Sequence, residues 1–445
     1  MTKEKNIIVD ASVIVSGHLS GNIHKTGLYR VTYEIITRLC DSRFNNILLY
    51  DVFQRERVLK KIIRQEFPQA RSIKGYSWWY RLLIFPIGDA ADRLRLVQLQ
   101  PGQNKLISRA ARLFKNLFLV VERSARKIDR FLFIKSNLNR ILKRIDLFYS
   151  TYYPIPEQIK NDRSIRKVYT IHDLIPMIYP EYFESPYNQK LVKEVVDNIE
   201  NQDYVVCVSE STKSDLLKYR PDLSPEHVFA NPLAASEEII LVSDPVMLKE
   251  TKTKYQIPEE SEYLLSVCTL EPRKNLKTLI GAYRNILEKG KAENLDLVLT
   301  GASGWKSESL IEEIASMNDL YQNRIHLTGF VPDKELAALY SSAFAFVYPS
   351  YYEGFGLPPL EAMQCGVPVI SSGTSSLPEV IGKAGIYIEP DSETELVNAI
   401  LKLRNNRVLR DSLSKKSVAR AKEFNWNKTV DRLNKIFHIA LNSTP

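Results

Sequence analysis

Two glutamates, Glu353 and Glu361, bracket E-G-F-G-L-P-P-L-E with seven residues between them. Upstream lies a short apolar run, Ala345–Pro349, of the kind that forms a buried parallel strand. Pro358 and Pro359 suit the first turn of a helix, where amides need no intrahelical partner, and Gly366 suits its end. A loop carrying Gly354 and Gly356 and running into a helix N-terminus is a place for an anion. The first amides and the helix dipole supply partial positive charge, and glycine allows close approach. Two carboxylates beside such a place require hydroxyl groups to bind, so a ligand with both phosphates and hydroxyls, such as a sugar nucleotide, suits the corner. The same residues also fit an ordinary strand–loop–helix turn with a capping glutamate.

Arg273 and Lys274, in C-T-L-E-P-R-K-N-L-K, follow the predicted strand Tyr263–Val267 and precede a helix. A planar guanidinium and an ammonium at a strand's C-terminal edge can neutralise a diphosphate. His172 and Asp173 stand just past the predicted strand Val168–Ile171, where ligands of open α/β sheets bind. Ser209 and Ser211 read as helix caps, and Glu379 receives no role.

Around these residues, short apolar runs alternate with helical periods. Asn6–Val15 reads as the first strand, followed by a loop to Gly27 and an amphipathic helix with Val31, Ile35, Ile36 and Leu39 on one face. Ile47–Tyr50, Leu147–Ser150, Tyr204–Ser209, Leu295–Thr300, Arg324–Leu327 and Val367–Ile370 read as further strands. At 445 residues the chain is long enough for two domains. We expect an N-terminal domain over 1–243 with an insertion at about 52–146, a linker over 244–262, a C-terminal domain over 263–425, and a last helix over 426–445 crossing back to the first domain.

The net charge of +9 is uneven. Val52–Asp146 holds 22 lysines and arginines against 7 acidic residues, a net of +15, which leaves the rest at −6. This segment contains Trp78, Trp79, Tyr80 and Phe85 and a helical period that is apolar on one side and basic on the other. It reads either as solvated surface helices or as a surface for anionic lipid. No nucleic-acid motif accompanies the charge. The four cysteines are far apart and form no zinc or redox pair. No apolar run has the length of a membrane span, Asp10 interrupts the N-terminal apolar run, and the separated cysteines read as reduced thiols, so a cytoplasmic location is expected, with the inner face of the plasma membrane as the alternative if the basic segment is a lipid surface.

The spacing of Glu353 and Glu361, with A-M-Q-C-G-V-P-V-I-S-S and S-S-L-P-E-V-I-G-K-A-G around it, resembles the E-x7-E motif of the retaining glycosyltransferases of family four. E-P-R-K-N, H-D-L-I-P and T-G-L-Y-R are similar to further stretches of that family. The resemblance implies the GT-B fold, an α/β architecture of two Rossmann-like parallel-sheet domains facing across a cleft. It implies transfer of a hexose, mannose from GDP-mannose first, with rhamnose or glucose from a dTDP- or UDP-sugar as alternatives, to a lipid-linked glycan. It further implies Glu353 and His172 as catalytic groups and Glu361 on the ribose. The donor would also contact Gly27, Arg273, Lys274, Phe330, Val331, Gly354, Phe355, Gly356 and Leu357. No metal or other cofactor is expected. Where the family pattern has a second glycine after Gly27 this chain has Leu28 and Tyr29, and Cys268 stands where many members have glycine.

A hydrolase using Glu353 and Glu361 is disfavoured, since eight helical rises span about 12 Å against ~5–9.5 Å for a working pair. A non-hydrolysing sugar-nucleotide epimerase shares the architecture but not the motif context. An idle, membrane-associated binding protein would release no nucleotide with any acceptor.

Overall fold

Strands rich in Val, Ile, Leu and aromatic residues, most of them followed among the described residues by a helix, build two parallel sheets in the computed structural model. It describes residues 5–20, 27–42, 45–53, 55–72, 144–291 and 294–443. The first sheet joins β1 (Lys5–Asp10), β2 (Asn45–Tyr50), β3 (Arg71–Ser72), β4 (Leu147–Ser150), β5 (Arg166–Ile171), β6 (Tyr204–Cys207) and β7 (Val228–Ala230) in the order β3-β2-β1-β4-β5-β6-β7. The second joins β8 (Glu262–Val267), β9 (Leu295–Thr300), β10 (Ile325–Gly329), β11 (Ala345–Tyr348), β12 (Val369–Ser372) and β13 (Gly385–Ile388) in the order β10-β9-β8-β11-β12-β13. By contact density the chain forms two units, Met1–Val168 with Ala440–Pro445, and Tyr169–Ile439.

In the first unit, β1 pairs in parallel with β2 and β4, and β2 with β3. Ile7, Ile8, Val9, Leu49, Leu147 and Phe148 form its centre. The first strand ends five residues earlier than expected, because Ser12–Ser20 is a helix. Asp10 turns the chain: its Oδ1 accepts the Ser12 N–H at 2.9 Å and the Ser12 hydroxyl. Val13, Ile14 and Val15 are buried all the same, and a short apolar run does not distinguish a buried strand from a buried helix.

Val52 does not open an insertion. Glu56–Glu66 is a helix whose Leu59, Ile62 and Ile63 are buried, and Arg71 and Ser72 pair with Leu48 and Leu49. Asp146 in turn accepts the Asn6 N–H at 2.8 Å. The remaining basic stretch, 73–143, lies outside the described residues, as does the loop over 21–26.

In the second unit, the six strands from β8 to β13 are parallel throughout. Leu264, Leu297, Leu299, Val347 and Ile370 pack against Leu279, Ile280, Tyr283 and Ile286 of the helix Leu276–Glu288. The stretch read as a linker contains the helix Pro245–Lys254. Asp244 caps it by accepting the Val246 N–H, and Pro245 fills its first turn. Among the described residues no helix is long and apolar enough to cross a membrane.

Candidate functional site

Glu353 is the centre of the arrangement in the second unit. Its carboxylate is buried and accepts from Lys274 Nζ at 2.6 Å, Ser350 Oγ at 2.7 Å and the Tyr348 hydroxyl at 3.0 Å. Arg273 Nη1 lies 3.0 Å from the second oxygen. Burial alone would raise this carboxyl; the Arg273 and Lys274 charges, with hydrogen bonds from Lys274 and Ser350, overrule it and hold it at about 2.

The two cations come from the turn Pro272–Lys274 after β8. Asn275 follows with φ 54° and donates from Nδ2 to the carbonyls of Pro349 (3.1 Å) and Pro390 (2.7 Å), which ties the turn to the Glu353 loop. Arg273 also donates to the Tyr352 carbonyl and to Glu271, each at 2.6 Å. Its Nε is buried with no hydrogen-bond partner among the described residues. Cys268, in the place of a family glycine, meets a glycine opposite: a Cβ on Gly301 would lie 1.9 Å from the Cys268 carbonyl oxygen.

The two glycines of the loop have different tasks. Gly356, at φ 107°, is the turn into the helix Leu357–Gln364. Gly354 gives close approach to the chain itself, since a Cβ there would lie 2.2 Å from the His172 carbonyl oxygen and 2.9 Å from Asp173 Cβ. The Gly354 carbonyl accepts from Ser209 Oγ at 2.7 Å and Thr212 Oγ1 at 3.2 Å. Ser209 caps the helix Glu210–Tyr219, as its type predicts. Glu379 joins it there, accepting the N–H groups of Glu210 (2.8 Å) and Ser211 (2.6 Å).

The structure therefore brings together His172, Arg273, Lys274, Glu353 and Gly354. Glu361, one turn into the helix, is buried and accepts from the Tyr340 hydroxyl at 3.1 Å. Phe355 is buried edge-on against Phe424, with ring centroids 5.9 Å apart. Beyond β10, Phe330 is 60% exposed and Val331 is buried. Gly27 belongs to the first unit, where it opens the helix Gly27–Asp41. Tyr29, at the second-glycine position, packs its ring over Gly17, where a Cβ would lie 2.3 Å from Tyr29 Cδ2.

Asp173 is placed beside His172 by the sequence but receives no role from it. Burial pushes its carboxyl up, against the pull of Arg273 and of the Ile175 N–H that it accepts at 3.0 Å. The available signal was its place directly after the strand-end histidine. Tyr348, Ser350 and Glu271 were also missed, because hydroxyls and carboxylates that orient a neighbour have no spacing of their own.

A family model described as glycosyl transferases group 1 matches residues 248–420. The O-antigen chain mannosyltransferase B of Escherichia coli is 32% identical over 289 residues, which cover 65% of this chain and 73% of that protein. The serotype-specific mannosyltransferase WbdA of Escherichia coli is 30% identical over 59% of this chain, but the match spans about a third (32%) of WbdA. Among solved structures, a sucrose-phosphate synthase from Thermosynechococcus elongatus has a TM-score of 0.65 at 18% identity, covering 99% of this chain and 100% of that one. Anabaena HepE in complex with UDP and glucose has a TM-score of 0.61 at 14% identity, covering 98% and 100%. These structural likenesses establish the GT-B fold.

Proposed function

The chain belongs to the glycosyl transferases of group 1, and from that membership we propose that it moves mannose from GDP-mannose, with retention of configuration, onto a lipid-linked glycan in cell-surface polysaccharide synthesis. The O-antigen mannosyltransferases among its relatives support this sugar and this setting. The observation that carries the reading is the buried Glu353 carboxylate held between Lys274 and Arg273.

A departing diphosphate needs its developing charge stabilised. Lys274, Arg273 and the first amides of the Leu357 helix are the groups for that work, without a metal. Glu353 and Glu271 neutralise these cations while no donor is bound. Donor binding is therefore an exchange: the diphosphate takes Lys274 and the unused Arg273 Nε, and Glu353 turns to the sugar hydroxyls and the electron-poor anomeric carbon. The bond from that carbon to the phosphate oxygen breaks as the acceptor oxygen attacks from the same face, and the leaving phosphate takes the acceptor proton. His172 positions the sugar or the acceptor, and Glu361 holds the ribose. Exclusion of water limits donor hydrolysis.

The test is incubation of the purified protein with a panel of nucleotide sugars, with and without a lipid-linked glycan extract, measuring released nucleoside diphosphate. GDP release that requires both GDP-mannose and the extract is the expected result. Binding of GDP-mannose without release under any condition would overturn the transferase reading in favour of an idle binding protein.

A further inference from the structure

Six aromatic side chains gather in three pairs, two of them on Tyr351 and Tyr352, which directly precede Glu353. Tyr179, Tyr182 and Phe183 come from the segment after β5, and Trp305, Tyr351 and Tyr352 from loops at the C-terminal edge of the second sheet. Tyr182 stacks on Tyr351 with ring centroids 5.7 Å apart and planes 8° apart. Phe183 stacks on Trp305 at 5.7 Å, and Tyr179 tilts against Tyr352 at 5.3 Å. The rings are also pinned through their polar tips. Tyr351 and Tyr352 donate to Asp391 and Asp215, each at 2.5 Å, and the Trp305 indole N–H donates to the Tyr182 carbonyl.

All six rings remain partly open to solvent. A half-exposed aromatic cluster is a costly surface for a protein to keep, and clusters of this kind mark binding sites. Rings already locked by stacking lose little further freedom when a ligand arrives. The rim carries acceptors, the carboxylates of Glu181, Asp215 and Asp391, and this disfavours an anionic lipid or a phosphate. The chemistry that fits is a neutral molecule with an apolar face and a hydroxyl edge, which is a pyranose. The shelf also adjoins the proposed reaction centre, since the Tyr352 carbonyl accepts from Arg273 at 2.6 Å.

We propose that this aromatic shelf binds the sugars of the glycan acceptor that lie behind the one receiving the transferred mannose. The proposal rests on the transferase reading above. It makes a chain of mannoses, rather than a single residue, the recognised acceptor.

Titration calorimetry of the whole protein with α-linked mannotetraose and with methyl α-mannoside tests it without any transfer step. The tetrasaccharide is expected to bind at least about tenfold tighter than the single sugar. Tyr182→Ala and Tyr179→Ala should remove that advantage, and Tyr182→Phe, which keeps the ring, should retain most of it. The Kd for GDP-mannose and the Tm should not move in any of the three. Equal affinity for the two sugars in the parent protein would overturn the shelf. So would a loss in Tyr182→Ala matched by falls in Tm and in GDP-mannose affinity, because the rings would then only hold the loops. A parent protein that prefers the tetrasaccharide but releases no GDP would keep the shelf and overturn the transfer reading.

Discussion

Asp10 and Glu353 are both buried carboxylates at the C-terminal edge of a parallel sheet, yet they are held in opposite states. Glu353 touches two cations and a ring of hydroxyls, and its carboxyl is held at about 2. Among the described residues Asp10 has only Ser12 as a donor and its buried Oδ2 has no partner, and burial pushes it up to about 7. The guanidinium near Asp10 is committed elsewhere, since Arg55 donates to Asp51 at 2.9 and 2.7 Å. Depth of burial is therefore not what decides the charge of a carboxylate in this molecule. The placement of cations decides it. One sheet edge commits two cations to a buried carboxylate, the pair that the proposed function hands over to a diphosphate. At the other, burial holds the carboxyl well above its ordinary range.

The sharpest way to break this contrast is Glu353→Gln, which keeps the shape and removes the charge. Transfer should fall about 100- to 1000-fold, while GDP, which has no sugar for Glu353 to hold, should bind about tenfold tighter because Lys274 and Arg273 are released to it. Calorimetry with GDP alone and initial rates with GDP-mannose measure the two arms. Weaker GDP binding would show that Glu353 and the diphosphate do not compete. Lys274→Ala should abolish transfer while the fold survives, which circular dichroism and the nucleotide-release assay check together.

The second test acts on Asp10. A carboxyl raised from 3.8 to about 7 contributes stability that is fully present below pH 4 and is lost as pH rises through 7. A shift of this size corresponds to about 4 kcal/mol. Asp10→Asn should therefore match the parent in Tm near pH 4 and exceed it at pH 8. A Tm difference that does not grow across this range would show that the proton is not held as described. Glu353 runs the other way: its contribution is present above its ordinary 4.5 and is lost as pH falls through about 2.

Two smaller changes refine the comparison. Gly354→Ala forces a Cβ to within 2.2 Å of the His172 carbonyl oxygen. It should cost about 2 kcal/mol by denaturant unfolding and lower transfer further, because the loop that aims Glu353 at its cations must move. Glu379 is an intermediate case, a carboxylate satisfied by two backbone N–H groups with no cation in hydrogen-bond reach among the described residues. Glu379→Ala should lower stability by about 1 kcal/mol, the loss of a helix cap, as measured by the shift in the denaturant midpoint.

Local rules made the Glu353 loop legible. A strand, two glycines, two prolines and a closing glycine occur in one short stretch, and Arg273 and Lys274 repeat the pattern after another strand. The helix at Pro245 was equally local, and Asp244-Pro245 is a capping signal, but the surrounding charges and a second proline suggested a linker. Ser12–Val15 defeated the reading for a different reason, because four apolar or small residues carry no period. The state of Asp10 and the task of Glu379 were not legible at all. The first is set chiefly by burial, which the tertiary packing creates, with Asp51 and Arg55 as smaller influences, and the second by the backbone N–H groups of Glu210 and Ser211, distant in sequence. The aromatic shelf is likewise invisible along the chain, since its six rings are spread over more than 170 positions.

The bonds that Ser209 and Thr212 donate to the Gly354 carbonyl, with those that Glu379 accepts from the start of the Glu210 helix, constrain how hybrid enzymes can be made. A chimera joined near residue 240 would pair the capping segment of one parent with the loop of another. Where the incoming sequence lacks a hydroxyl at 209 or a carboxylate at 379, the seam would leave unmet polar groups a few residues from the reaction centre. Cassettes within 262–400, where the proposed function places the donor, are then best exchanged with Gly354 and Glu379 kept and with Ser209 and Thr212 retained in the recipient.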